Sequence, residues 1–226
     1  MASPRGYFWN APVPYAEAAA LQEELVRARI AGRIPDTVLF LEHPPVITLG
    51  RRGRKDYLKH ARSFYRESGI EIVRSTRGGD VTYHAPGQLV MYPILQLSGS
   101  ASASQGYLGL LERTAVETAR AFGVEAYTRE GMAGAWTDAG KIAAIGFRLK
   151  RWVSYHGMSF NVHPDLRGFD TIVGCGLEGE AVSSLQAILG EAAPTAPEVR
   201  TIMAGIFGRL IRAPFSLEAW TDEGLG

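Results

Sequence analysis

Apolar positions along the chain come in short blocks whose spacing changes from one block to the next. In residues 15–31, Ala16, Ala19, Ala20, Leu25, Ala28 and Ile30 are mixed with Glu and Arg, and Gly32 stands where a helix would end. That pattern predicts a helix. Thr37 to Leu41 is almost wholly apolar and predicts a buried strand, closed by His43-Pro44-Pro45. Val46 to Leu49 predicts another strand, residues 60–67 a short helix, 70–74 a strand and 88–95 a further apolar strand. The Ser-, Ala- and Gly-rich stretch 99–106 predicts a loop. The clearest helix is 107–122, where Leu108, Leu111, Ala115, Ala119 and Phe122 recur at helical spacing. Residues 134–137, 141–150 and 151–158 predict consecutive strands, the first two joined by an Asp138-Ala139-Gly140 turn. Residues 163–180 are loop-like, and 181–189 and 197–211 are helical. Strands outnumber helices and cluster mid-chain. The expected class is α+β, a single domain over residues 1–226 with one mixed or mainly antiparallel sheet flanked by helices. Residues 197–226 are expected to form a helical tail.

Composition narrows the function classes. The formal charge is +1 over 226 residues, which argues against a general nucleic-acid binder. No apolar run is long enough to cross a bilayer, and residues 1–10 lack a signal-peptide core, so a soluble cytoplasmic protein is expected. A single Cys excludes an intrachain disulfide framework and any zinc site built on several cysteines. Only four of the 24 basic residues are Lys. The five histidines, His43, His60, His84, His156 and His163, show no metal-ligand spacing, so no metal is expected.

Three segments could carry chemistry. Arg77-Gly-Gly-Asp-Val-Thr-Tyr-His84 has paired glycines that allow a tight turn and close approach to a ligand. Arg77 could hold an anion there, and His84 could donate a hydrogen bond or shuttle a proton. The same residues could equally form an ordinary hairpin. The segment lacks the Gly-Lys-Ser/Thr ending of a phosphate-binding loop. Lys141 follows the Asp138-Ala139-Gly140 turn. In a regular strand it shares a face with Ala143, Ile145 and Phe147, and an amine beside apolar neighbours suits proton transfer. It could also be an exposed residue past a hairpin turn. Cys175 sits between Gly174 and Gly176. It is either a small core residue or a nucleophile that flanking glycines leave accessible and a nearby base activates.

Taken together, these segments resemble the octanoyltransferases of lipoate biosynthesis, from about Leu41 to about Leu189. The resemblance rests on Arg77 to His84, Pro86 to Pro93, Gly140 to Gly146, His156 to Val162 and Gly174-Cys175-Gly176. It implies the fold of the lipoate and biotin ligase catalytic domains. It implies transfer of an octanoyl group from octanoyl-acyl carrier protein to a lysine of lipoyl domains of 2-oxoacid dehydrogenases or of the glycine cleavage H protein. In that reading Cys175 carries the acyl group as a thioester, and Lys141 lowers the thiol pKa and moves protons. Arg77, Gly78, Gly79, Asp80, Val81, Thr82, Tyr83, His84, Ala144, Ile145, Gly146, His156, Gly157, Met158 and Ser159 line the substrate site. No cofactor, metal, nucleic acid or membrane is implied. Asp80 and Ala85 depart from the family pattern within the binding loop.

Small residues such as Ala143, Ala144 and Gly146 are expected to leave room for the acyl chain. Backbone N–H groups of Gly176 and of Lys141 to Ala144 are expected to face the oxyanion. Arg51, Arg52, Arg54, Lys55, Arg148, Lys150 and Arg151 are expected to dock an acidic carrier protein. The rival readings are an ATP-dependent ligase on the same scaffold, a non-catalytic binder of acyl carrier or lipoyl domains, and a cysteine hydrolase using His84 or His156.

Overall fold

The computed structural model describes residues 3–173 and 180–221. Cys175, with Gly174 and Gly176, lies outside the described residues. Among the described residues, two sheets carry the molecule. The larger has eight strands: β1 (Arg5–Phe8), β2 (Thr37–Leu41), β6 (Gln88–Ile94), β7 (Tyr127–Arg129), β8 (Met132–Thr137), β9 (Gly140–Lys150), β10 (Val153–Asn161) and β11 (Leu217–Ala219). Their order is β11-β1-β2-β6-β10-β9-β8-β7, with β1 parallel to β2 and β11 and the other pairings antiparallel. The smaller sheet is β4 (Glu71–Arg74), β3 (Val46–Leu49) and β5 (Val81–His84), in the order β4-β3-β5. The α+β class with mixed sheets is as expected. The division into two sheets is not, because residues 46–84 are short strands that pair only with one another.

Helices cover both faces of the large sheet. α3 (Ala101–Ala121) and α5 (Ala196–Leu210) bury Leu111, Ala115, Val199, Met203 and Phe207 against Phe40, Met91, Ile142 and Phe160 on one face. α1 (Tyr15–Ile30) buries Leu25 and Val26 against Leu39, Val90 and Ile94 on the other. Two shorter helices, α2 (Arg62–Glu67) and α4 (Leu185–Leu189), flank the small sheet and the end of β10.

Several boundaries differ from the sequence pattern for local reasons. The predicted loop 99–106 is mostly helix: the Ser100 side chain accepts from Ala103 N–H, caps α3 and starts it early. Residues 181–183 are extended, tied to β9 by a parallel bridge from Val182 to Lys141, and the helix there begins only at Leu185. The tail is not all helical. α5 stops at Leu210, and β11 then pairs with β1, where Trp220 stacks on Trp9 with ring centroids 5.0 Å apart.

Candidate active site

The site lies between the middle of β9 and β10 and the loop 77–80 that leads into β5. Two small cavities run end to end there, of about 40 and 50 Å³. Val81, Thr82, Ala144 and Ser159 line both. The outer one is closed by Lys141, Trp136, Asn161, Phe169 and Glu180–Val182. The inner one is further lined by Arg77, His84, Tyr92 and His156, and at Gly79, Asp80, Ile145 and Gly146 it shares its wall with an open groove. Of the residues named as substrate-binding, all but Gly78 and Tyr83 line the inner cavity. Gly78 lies on the rim of an open groove of about 840 Å³. Tyr83 lines neither cavity; its ring packs edge-on against Phe169 at 5.4 Å in the small-sheet core.

Lys141 reaches the cavity through an irregularity in β9. Ala135 pairs with Ala143, but Trp136 pairs with Lys141, so Ile142 is the extra residue of a bulge. The bulge breaks the alternation expected from the sequence. Lys141 therefore does not share a face with Ala143, Ile145 and Phe147, whose side chains pack toward α3. It lies instead over Trp136 and Gly134. Its Nζ is 5.0 Å from the centre of the Trp136 ring, a distance at which the ring face attracts a cation. A Cβ at Gly134 would stand 2.7 Å from Lys141 Cε and 2.3 Å from Ala143 O. Glu112 of α3 accepts from Gly134 N–H at 3.3 Å, and its carboxyl is raised by burial and drawn back by that bond and by the Lys141 charge. The backbone of Lys141 is held too. Its N–H donates to Ala181 O at 2.8 Å and its O accepts from Ser183 N–H at 2.9 Å. Lys141 N–H is thus engaged and does not serve as an oxyanion donor, a correction to the sequence expectation.

Arg77 is buried and works as a brace. Its guanidinium donates to Thr48 Oγ1 at 2.9 Å, Thr48 O at 2.6 Å, Gly78 O at 2.9 Å and Asp80 O at 3.1 Å. The loop it shapes lies hard against β9: Gly78 N–H donates to Phe147 O at 3.0 Å, and a Cβ at Gly146 would stand 2.7 Å from Gly78 O. Gly146 therefore has to be small where two backbones meet, and it also lines the inner cavity. Ala144 does line both cavities.

The inner end of the site holds a cluster that the sequence pattern did not disclose: His43, Tyr15, Tyr92 and Gln22 beside His84 and His156. His43 Nδ1 donates to Val13 O at 2.6 Å and its Nε2 accepts from Tyr92 OH at 2.8 Å. Burial lowers the His43 pKa to about 4 and, with the charges of Arg77 and Arg148, lowers His156 to about 3. Burial first, then His43 and Arg77, hold His84 well below its ordinary value. Burial thus favours the neutral imidazole at all three positions. His84 and Lys141 are joined by a buried relay. His84 bonds Gln88 at 2.6 Å, Gln88 donates to Asn161 at 2.8 Å, and Asn161 donates to Ser183 O at 2.9 Å.

The expected basic docking patch is divided. Arg51 and Arg52 rim the open groove that Lys141 also lines. Lys150 and Arg151 are at the far end of β9, nine residues of strand from Lys141, or roughly 30 Å.

The sequence model of the lipoyl protein ligase A/B catalytic domain matches residues 14–208. An octanoyltransferase of Syntrophotalea carbinolica is 49% identical over 179 residues, covering 79% of this chain and 82% of that one. The chain belongs to the octanoyltransferase family. An octanoyltransferase of Geobacter metallireducens is 42% identical over 203 residues, covering 89% of this chain and 92% of that one. In fold, the chain is similar to the bi-partite lipoate protein ligase of Thermoplasma acidophilum, solved in a study of that ligase and its E2 lipoyl domain. The TM-score is 0.76 at 16% identity, with 98% of this chain and 89% of that one covered. The match to residue 208 takes in α5, which the sequence resemblance had left outside. Among the described residues of this octanoyltransferase family member, no helix is long and apolar enough to cross a membrane.

Proposed function

We propose that the protein transfers an octanoyl group from octanoyl-acyl carrier protein to a lysine of lipoyl domains through a thioester on Cys175, the opening step of endogenous lipoate formation. The observation that carries this reading is the lining of the outer cavity. Lys141 shares it with Phe169, which precedes Gly174-Cys175-Gly176 in the chain, and with Glu180–Val182, which follow it. The catalytic pair is Cys175 and Lys141. The Cys175 thiolate attacks the carrier thioester carbonyl, the carbon–sulfur bond to the carrier breaks, and the departing thiolate takes a proton from the Lys141 ammonium, which leaves Lys141 as a neutral amine. The neutral amine of the acceptor lysine then attacks the acyl-enzyme. A carbon–nitrogen bond forms, the Cys175 sulfur leaves, and the amine proton passes to Lys141, a base whose charge is tunable where that of Arg is not. With Lys141 N–H engaged, and Ala143 and Ala144 set in the ladders with β8 and β10, Gly176 N–H and Ile142 N–H are the oxyanion donors retained from the expected set.

The octanoyl tail runs inward past Ala144 and Ser159 toward His156. A thioester is exchanged for a thioester and then for a more stable amide, so no ATP is required. The donor docks its acidic surface on Arg51 and Arg52 at the groove rim and on Arg54 and Lys55 next to them in sequence. The acceptor is a lipoyl domain of the kind studied with the Thermoplasma ligase.

The deciding measurement is intact mass after mixing the protein with octanoyl-carrier protein in the absence of ATP. An octanoyl adduct that is lost, or left as a stable ester, in Cys175→Ser is expected. No adduct, together with ATP-dependent use of free octanoate, would make the protein a ligase.

A further inference from the structure

One carboxylate beside Lys141 has no part in the steps above. Glu112 is on α3, one helical turn after Leu108, and Leu108 lines the same open groove as Lys141. Glu112 is partly buried, and the loss of water is the main cause that raises its carboxyl above its ordinary value. Two groups answer that cost. Its Oε1 accepts from Gly134 N–H at 3.3 Å, and the Lys141 charge acts on it. Arg113 and Arg209 do not, because both pair with Glu117.

The carboxylate and the amine meet at Gly134. The Lys141 stem crosses this residue so closely that a Cβ there would stand 2.7 Å from Lys141 Cε. The Glu112 oxygen bonded to Gly134 N–H is therefore no more than about 8.5 Å from Lys141 Cε. Over such a span a charge still acts on a charge, whereas a hydrogen bond does not reach. The other charges around the amine come in opposite pairs. Arg129 of β7 lies 4.3 Å over the same Trp136 ring and pairs at 2.9 Å with Glu180, which lines the outer cavity. At the groove, Arg52 pairs with Asp80 at 3.4 Å, and Arg51 and Glu130 carry opposite signs.

Lys141 changes charge twice in each turnover. It gives a proton to the departing carrier thiolate and becomes neutral. It then takes a proton from the acceptor amine and becomes an ammonium again. A fixed negative charge beside it favours the second change and not the first.

We infer that Glu112 is a positioning residue for the second half-reaction: it stabilises Lys141 as the amine turns into an ammonium and the acyl group passes to the acceptor lysine. The inference rests on the Cys175–Lys141 reading of the same site and deepens it. Glu112 touches no reacting atom and receives no proton. In the step it assists, the carbon–nitrogen bond forms, the bond to the Cys175 sulfur breaks, and the amine proton ends on Lys141 Nζ.

Intact mass in single-turnover reactions separates the two halves. Octanoyl-carrier protein alone gives the rate of Cys175 acylation, and a lipoyl domain added to the isolated acyl-enzyme gives the rate of aminolysis. If the unaltered protein is not acylated, the underlying reading falls and takes this inference with it. With acylation present, Glu112→Gln keeps an acceptor for Gly134 N–H and removes only the charge. Aminolysis is expected to slow about tenfold, the effect of one charge at this range, while acylation stays within about twofold. Equal slowing of both steps, or of neither, overturns the inference. Glu112→Asp keeps the charge on a shorter stem and gives up the Gly134 bond. Its aminolysis is expected to stay well above that of Glu112→Gln. The reverse order would mean that the bond to Gly134 matters and the charge does not, which also overturns the inference.

Discussion

Lys141 shows how much a single residue depends on its immediate backbone. Its aliphatic stem crosses a glycine, its ammonium lies over Trp136, and its peptide groups are clamped by Ala181 and Ser183. Lys141→Ala is expected to lower kcat/KM for octanoyl transfer by about 10²–10⁴-fold, the usual share of a positioned proton-transfer group. Lys141→Arg is expected to restore little, because a guanidinium stays charged. Gly134→Ala tests position separately from chemistry. The added methyl meets Ala143 O and Lys141 Cε at a residue with φ 136°, and pushes the amine aside. A loss of about a hundredfold in turnover is expected with Lys141 itself intact, read in single-turnover acyl transfer. The identity of Lys141 as a candidate was readable from the residues around it. The face it occupies was not, because a one-residue bulge reverses every orientation that period-two alternation predicts.

At the scale of elements, the strands that were legible are those with continuous apolar runs, β2 and β6, which sit in the middle of the large sheet and are buried throughout. The short strands β1, β7 and β11 carry mixed residues, and tertiary pairing rather than local preference makes them strands. The start of α3 was missed because the Ser and Gly residues of 99–106 lower helix propensity, while Ala101 and Ala103 favour a helix and one serine cap was enough to begin it there. α5 was legible as a helix but not as part of the core. Phe207 is fully buried and packs with Met203 and Val199 on the α3 side of the sheet. Phe207→Ala is expected to cost about 3–5 kcal/mol, measured by urea denaturation, so removal of α5 should abolish folding rather than trim a tail.

The whole molecule sets the charge behaviour. His43, His84 and His156 are buried, the latter two also facing the Arg77 charge, and burial favours their neutral forms in the fold. Free of the fold, each would titrate near 6.5. Above that pH neither state is protonated and the stability is full. Below it the unfolded chain binds protons that the native state refuses, so stability falls as pH drops, by up to about 1.4 kcal/mol per pH unit for each histidine. The decline continues until the native groups titrate, near pH 4 for His43 and 3 for His156. Urea midpoints should therefore fall steadily from pH 6.5 to 4, and a flat profile there would contradict neutral burial. Long-range geometry also divides the basic residues. Glu replacing Arg52 at the groove rim is expected to raise KM for carrier-bound substrate several-fold and to reduce its salt dependence. The same change at Lys150, roughly 30 Å of strand from Lys141, is expected to leave KM nearly unaltered.

By itself, the sequence determined the α+β class, the central strands and helices, and the described segments that come together around the candidate site. Those properties follow from local pattern: apolar runs, helical spacing, and glycines and chemically capable side chains in a fixed order. Only the tertiary structure decided that Arg77 braces a loop, that Lys141 faces the cavity through a bulge, and that three distant histidines meet neutral at its inner end. Each of these depends on which strands become neighbours, because burial, close backbone approach and hydrogen-bond partnership arise between residues tens of positions apart.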